Sequence, residues 1–233
     1  MKKENDMKIA ILGSGTVGQT LAGKLIATGA AVSLGTRDPE ATKARVAAGA
    51  SDGPSFSAWH AMHPTVRVAT FADAAATADL VILAAAGRTA LETLEQTGAE
   101  NLTGKVLIDV TNPLDFSQGF PPFLSVCNTD SLGERIQAAF PNVHVVKALN
   151  TVAAPVMIAP DSVHDGNHTL FVCGNDDEAK AKVTRHLKSW FGWRDVLDLG
   201  NITNARGTEG YLLLWTRIYG TTKSPLYNVD VRR

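Results

Sequence analysis

Two rhythms of hydrophobic positions alternate along this chain. Short apolar runs closed by glycine or a turn alternate with longer stretches whose apolar residues recur at helical spacing. Ile9 to Leu12 predicts a buried strand, Val17 to Thr28 a helix stopped by Gly29, and Ala31 to Leu34 a second strand. Val66 to Ala69 and "DLVILAAAG" continue the strands, with "FADAAATA" as a short helix between them. Thr89 to Thr97 predicts a helix, "KVLIDVTNP" a strand closed at Pro113, and Ser131 to Phe140 a helix opened by a capping box with Glu134. Further strands are expected in "VHVVKALNT", "HTLFVCG" and "DVLDLG", with Asp177 to Trp190 as the helix between the last two.

Strands separated by helices imply an α/β fold: a Rossmann-like, doubly wound parallel sheet. Ala205 to Gly220 predicts an amphipathic closing helix. The expected organisation is a disordered N-terminal tail over 1–7, a nucleotide-binding domain over 8–200 and a small C-terminal helical extension over 201–233. Two Gly/Pro-punctuated segments, "GASDGPSFSAWHAMHP" (49–64) and "LDFSQGFPPFLSVCNTD" (114–130), read as long functional loops.

Bulk composition removes other classes. The net charge is -1, so nothing marks the chain for nucleic acid or an anionic membrane. No run is apolar enough to span a bilayer and no secretory leader is visible, so a cytoplasmic location is expected. Cys127 and Cys173 lack zinc-site spacing, and Cys127 reads as a small buried residue. His164 and His168 are spaced like two ligands on a helix face but lie in a loop with no third ligand, so no metal is expected. His60 and His63 read as solvated or lining a cleft.

The chemistry begins at Gly13-Ser14-Gly15-Thr16-Val17-Gly18, a GxGxxG between a strand and a helix. Gly13 serves the tight turn, Gly15 the approach of a pyrophosphate, and Gly18 the packing of helix on strand. After the second strand, where a carboxylate would bind the ribose of NAD, the chain has Thr36-Arg37. A hydroxyl and a guanidinium favour a 2′-phosphate, and Lys43 adds positive charge, so the expected cofactor is NADP(H). Asp38 would be the ribose acid if the register slipped by one.

These features, with "GTRDP", "DVTNPLDF", "VVKALNT", "FVCGNDDEAK" and "LDLGNITNARGTE", make the chain resemble the NADPH-dependent coenzyme F420 reductases. That family is itself similar to the reductase domain of the STEAP metalloreductases. The resemblance runs from Lys8 to about Gly220. It implies a homodimer and hydride transfer between NADP(H) and a deazaflavin. By position it implies that Ser14 to Val17 touch the pyrophosphate and Thr36 and Arg37 the 2′-phosphate. Ala85, Ala86, Asn112 with Pro113, and Ala154 would line the nicotinamide half.

The pattern departs from the archaeal members at Gly87 (an aromatic there), at Asn150 (a histidine there) and in "FSQGFPPFLS". The acceptor is therefore open among a deazaflavin (coenzyme F420), a flavin, a quinone or another small electrophile. Asn150 and Thr151 are the expected catalytic residues, hydrogen-bonding the carboxamide or the acceptor. Thr203, Asn204 and Arg206 are the expected substrate residues. Two other functions stay open: an imine or carbonyl reductase on the same scaffold, and a redox sensor that binds NADP(H) without turnover.

Overall fold

The computed structural model describes residues 7–46 and 53–232. Residues 1–6 of the expected tail, and 49–52 of the first expected loop, lie outside them. Strand β1 (Lys8–Leu12) leads through α1 (Thr16–Ala27) to β2 (Ala31–Thr36). Helices α2 (Pro39–Lys43) and α3 (Phe56–Met62) precede β3 (Arg67–Thr70), α4 (Phe71–Ala76) and β4 (Leu80–Leu83). Then come α5 (Ala90–Thr97), α6 (Ala99–Leu102), β5 (Val106–Asp109), and a small hairpin of β6 (Leu114–Asp115) and β7 (Phe123–Leu124). The second half runs α7 (Leu132–Ala139), β8 (His144–Ala148), α8 (Ala154–Ile158), β9 (Thr169–Gly174), α9 (Asp177–Phe191) and β10 (Asp195–Asp198). Helices α10 (Ala205–Gly210) and α11 (Leu212–Thr222) close the fold.

The sheet order is β10-β9-β8-β5-β4-β1-β2-β3. Its central strands are apolar on both faces because both faces are covered. Ile9, Ile11, Leu80, Ile82, Ile108 and Val146 point into one core with Leu21 and Leu25 of α1, Trp59 of α3 and Val183 and Leu187 of α9. Their neighbours Ala10, Leu12, Val81, Leu83, Leu107 and Val145 point into the other, with Phe71, Leu94 and Ile136 from α4, α5 and α7. Each buried Leu or Ile contributes roughly 1.5–3 kcal/mol over its exposed state. This two-sided burial is what the uninterrupted apolar runs signalled.

The sheet departs from the expected all-parallel form in one place: β8 and β9 pair antiparallel, and β10 then runs parallel to β9. The first long loop also differs from expectation, since α3 is capped by Ser55, whose side chain accepts from the Ala58 amide, and buries Phe56 and Trp59. The second holds the β6–β7 hairpin, with Phe116, Phe120 and Phe123 exposed. Ser131 caps α7 as the sequence predicts, its Oγ accepting from the Glu134 amide at 3.1 Å. The reciprocal half of the box is not formed: the Glu134 carboxylate accepts the Ser131 hydroxyl at 2.7 Å, and the Ser131 amide donates to Asp130 at 2.8 Å. The C-terminal helices pack onto the same body, with Ile202 and Ala205 inside the second core.

Chain order places β2 and β3 on one side of β1, and β4 and β5 on the other. The switch falls between β1 and β4, where a crevice opens at the strands' carboxyl ends. No helix among the described residues is long and apolar enough to cross a membrane.

Candidate functional site

The turn after β1 is shaped by its glycines. Gly13 sits at φ +130°, and a Cβ there would lie 2.4 Å from the Ala84 carbonyl. One on Gly18 would lie 2.0 Å from the Gly13 carbonyl, so α1 approaches the turn only through glycine. Nothing lies within 4 Å of the place where a Gly15 side chain would stand. Gly15 caps α1 with no side-chain hydrogen bond, and the first turn holds no acidic residue. The helix amides are thus left to an anion, on an open glycine cradle.

A cleft of about 550 Å³ opens there, lined by Gly13, Ser14, Gly15, Thr36, Arg37, Ala84 to Ala86 and Arg88 among others. Thr36 is buried and shares a 2.8 Å hydrogen bond with the Thr42 hydroxyl. Arg37 is exposed and has no hydrogen bond or ion pair among the described residues. Asp38, which also lines the cleft, accepts from the Ala41 amide at 2.9 Å as the cap of α2. Lys43 does not line the cleft. It pairs with Glu40 at 2.9 Å.

Arg45 stands in the cleft instead, a residue that sequence reasoning missed. Its guanidinium donates to the Ser14 carbonyl at 2.7 Å and lies 5.2 Å above the Phe56 ring, bracing the glycine turn from a distant segment. No local motif marks it.

A second cleft, of about 390 Å³, shares Ala84, Ala85, Ala86 and Arg88 with the first. It adds Val17, Gly87, Val110, Thr111, Asn112, Leu114 and Phe116. Gly87 makes the close approach possible, since a Cβ there would be 1.9 Å from the Asn112 carbonyl. Asn112 Nδ2 donates to the Asn150 carbonyl at 2.8 Å, and Asn150 Nδ2 donates to Asn112 Oδ1 at 3.0 Å. Asn150 itself lines neither cleft: it is buried behind Asn112, and its Oδ1 has no hydrogen-bond partner among the described residues. Leu149, just before it, holds φ +63°, a left-handed conformation that a leucine rarely adopts.

The remaining expected site residues are not brought to these clefts. Thr151 is buried and lines a separate, mostly apolar cavity of about 240 Å³ with Phe171, Leu199 and Tyr211. Ala154 opens α8, which packs on α1. Pro113 closes the strand-end turn, its carbonyl accepting from Ser125 at 2.8 Å. Thr203 Oγ1 bonds Asn201, Asn204 Nδ2 donates to the Leu199 carbonyl at 2.7 Å, and Arg206 holds Glu134 at 2.6 Å. Thr16 and Gly18 lie in the first helical turn beneath the cradle.

Behind the site lies a second feature missed from sequence. Lys147 Nζ lies 2.9 Å from Asp109 and 2.7 Å from Glu209, all three buried. Asp109 also accepts from the Thr111 amide and hydroxyl, and Glu209 accepts the Leu132 and Gly133 amides at the start of α7. Burial alone would push the Lys147 ammonium down, but the Asp109 and Glu209 carboxylates together hold it above its usual value. Nearby, burial pushes the Cys173 thiol up to about 12. Cys127, expected to be buried, is exposed. His168 spends its ring nitrogens on the Pro160 carbonyl and Asn228. His60 and His63 bond the carbonyls of Val66 and Trp59.

The family described as NADP oxidoreductase, coenzyme F420-dependent, matches residues 8–113. A solved structure from Arthrobacter sp. FB24, a candidate F420-dependent NADP reductase, is 51% identical. It superposes at a TM-score of 0.92, covering 97% of this chain and 100% of that one. The metalloreductase STEAP3 of Rattus norvegicus is 31% identical over 202 residues, which is 87% of this chain. The chain spans only 36% of that relative's length. An imine reductase from Myxococcus stipitatus shares the fold at a TM-score of 0.62 and 14% identity, covering 94% of this chain and 64% of that one.

Proposed function

The chain belongs to the family of coenzyme F420-dependent NADP oxidoreductases, and on that footing we propose that it passes a hydride between NADP(H) and a deazaflavin or flavin-like ring. The observation that carries this reading is the continuity of the two clefts across the β1–β4 switch point. One end is a phosphate cradle with cations, and the other is a mostly apolar slot that suits a flat ring.

The residues fit an NADP(H) molecule on structural grounds. The uncapped α1 N-terminus and the open space over Gly15 suit a pyrophosphate, and Arg37, which has no ion pair among the described residues, suits a 2′-phosphate. When bound, the nicotinamide supplies the hydride at its C4. The protein's task is to hold two rings at reacting distance and exclude water. Ala84 to Ala86 and Val17 form a small-residue wall that lets rings approach the strand ends. The Asn112–Asn150 amide pair fixes the Asn112 side chain in the wall of the second cleft, with Asn150 supporting it from behind. Among the described residues lining the second cleft, none is Lys, Tyr, His, Asp or Glu. An imine or carbonyl reductase would want a side-chain proton donor there, which favours a ring acceptor.

The test is loss of NADPH absorbance with F420, FMN, FAD, riboflavin and a quinone offered in parallel, each with an NADH control. Turnover with the deazaflavin or a flavin is expected. NADPH binding without turnover by any acceptor would replace this reading with a redox sensor. Asn150→Ala should lower turnover roughly tenfold, about 1.4 kcal/mol, with NADPH affinity kept. Unchanged turnover would remove Asn150 from the reaction. The exposed Leu213 and Leu214 of α11 further fit pairing with a second copy, which light scattering of the purified chain would report as twice the monomer mass.

A further inference from the structure

We propose that Arg88 selects acceptors that carry an anionic group beside the ring, a phosphate above all. The inference rests on the reading that a second ring occupies the second cleft. Arg88 is the one charged residue among the described residues lining that cleft, whose other walls are Val17, three alanines, Gly87, Val110, Leu114, Phe116, Thr111 and Asn112. It also lines the first cleft, so it stands where the two join.

The position is held firmly at its base. Arg88 lies on a single helical turn, Gly87–Thr89, directly after β4. Gly87 is wedged against the Asn112 carbonyl, and Thr89 Oγ1 donates to the Ala86 carbonyl at 3.1 Å. The guanidinium itself has no hydrogen bond or ion pair among the described residues. Glu92, one helical turn on, accepts instead from Gln96 at 2.9 Å.

A cation at the rim of an apolar slot that forms no ion pair among the described residues, although Glu92 lines the neighbouring cleft, is suited to bind an anion attached to an apolar body. The cofactor's own phosphates already have Arg37 and the α1 amides. Arg88 is the positive charge that remains for the acceptor. It therefore discriminates between rings of the same shape that differ in charge, such as FMN and riboflavin.

The experiment is a flavin-fluorescence titration of the NADP+-loaded protein with FMN and with riboflavin, alongside F420, in the parent, Arg88→Ala and Arg88→Lys. The parent should bind FMN at least about tenfold more tightly than riboflavin. Arg88→Ala should bring the two to near equality and weaken F420 similarly, while Arg88→Lys keeps part of the preference. NADPH affinity, titrated separately because Arg88 also lines the first cleft, should fall by less than FMN affinity does. Equal binding of FMN and riboflavin by the parent overturns the role of Arg88 alone. An Arg88→Ala loss confined to NADPH assigns the residue to the cofactor and also overturns it. If only F420 binds, its affinity in parent and variant decides. If no ring binds, the second-ring reading falls, and this proposal with it.

Discussion

Two groups of charges in this protein stand in opposite situations. Lys147, Asp109 and Glu209 are buried together, and each is satisfied by the others or by backbone amides. Arg37 and Arg88, on the cleft, are exposed and have no carboxylate partner among the described residues. The first group joins four elements: β5, β8, α10 and the start of α7. The second joins nothing among the described residues. Charges satisfied internally carry architecture, and charges left unsatisfied at a cleft carry recognition. The comparison predicts that altering one group changes stability without specificity, and altering the other changes specificity without stability.

The largest expected effect is at the buried group. Lys147→Met leaves two carboxylates buried without their cation, a loss of about 3–5 kcal/mol. Thermal melting should fall by roughly 10 °C. A variant melting within about 2 °C of the parent would show that the carboxylates find other partners and would break the comparison. Because the folded Lys147 holds its proton more tightly than the unfolded chain does, its contribution is complete below the unfolded value. It fades as pH rises through the folded one. The gap in urea midpoint between parent and Lys147→Met should therefore be full near neutrality and shrink only above about pH 10.4.

Next comes the cleft. Arg37→Ala should weaken NADPH binding by about 1.5–3 kcal/mol, roughly tenfold to a hundredfold, leaving NADH affinity and the ligand-free melting point as they were. Calorimetric titration with both nucleotides reads this directly. An equal loss for NADH would mean that Arg37 serves the pyrophosphate or adenine and not the 2′-phosphate.

The smallest effect is expected where a cation is paired but solvated. Arg206 holds Glu134 at 2.6 Å, yet its side chain is 40% exposed and solvent screens the pair, so Arg206→Ala should lower the urea midpoint far less than Lys147→Met does. The Arg206 hydrogen bond keeps the Glu134 carboxyl below its usual range. That contribution is present above about pH 4.3 and is lost as pH falls through the folded value. Urea midpoints of parent and variant should therefore converge in acid. A cost nearer that of Lys147→Met would place Arg206 with the buried group.

Much of this was legible in the chain. The apolar runs, the glycine turn after β1 and the Ser131 cap each act within one strand or one or two helical turns, so periodicity exposes them. The limits are equally specific. Asp109 and Lys147 show in sequence only as a charge within "VLIDV" and another within "VVKAL". Their pairing follows from the register of β5 on β8, where they are direct partners. Nearness in sequence suggests Lys43 as an added cation, but Lys43 pairs with Glu40, while Arg45, two residues on, enters the cleft and braces the Ser14 carbonyl. Asn150 and Thr151 are neighbours in the chain, yet one bonds Asn112 behind the second cleft and the other lines a separate cavity.

The sequence by itself determined the kinds of element, their order and the glycine turn after β1, because these depend on side-chain spacing and glycine conformation within a few residues. The tertiary structure alone decided that β9 turns antiparallel to β8, that Arg45 braces the turn, and which charges are paired or left free. Those outcomes depend on contacts between segments tens of residues apart, where strand register and packing, not local preference, set which groups meet.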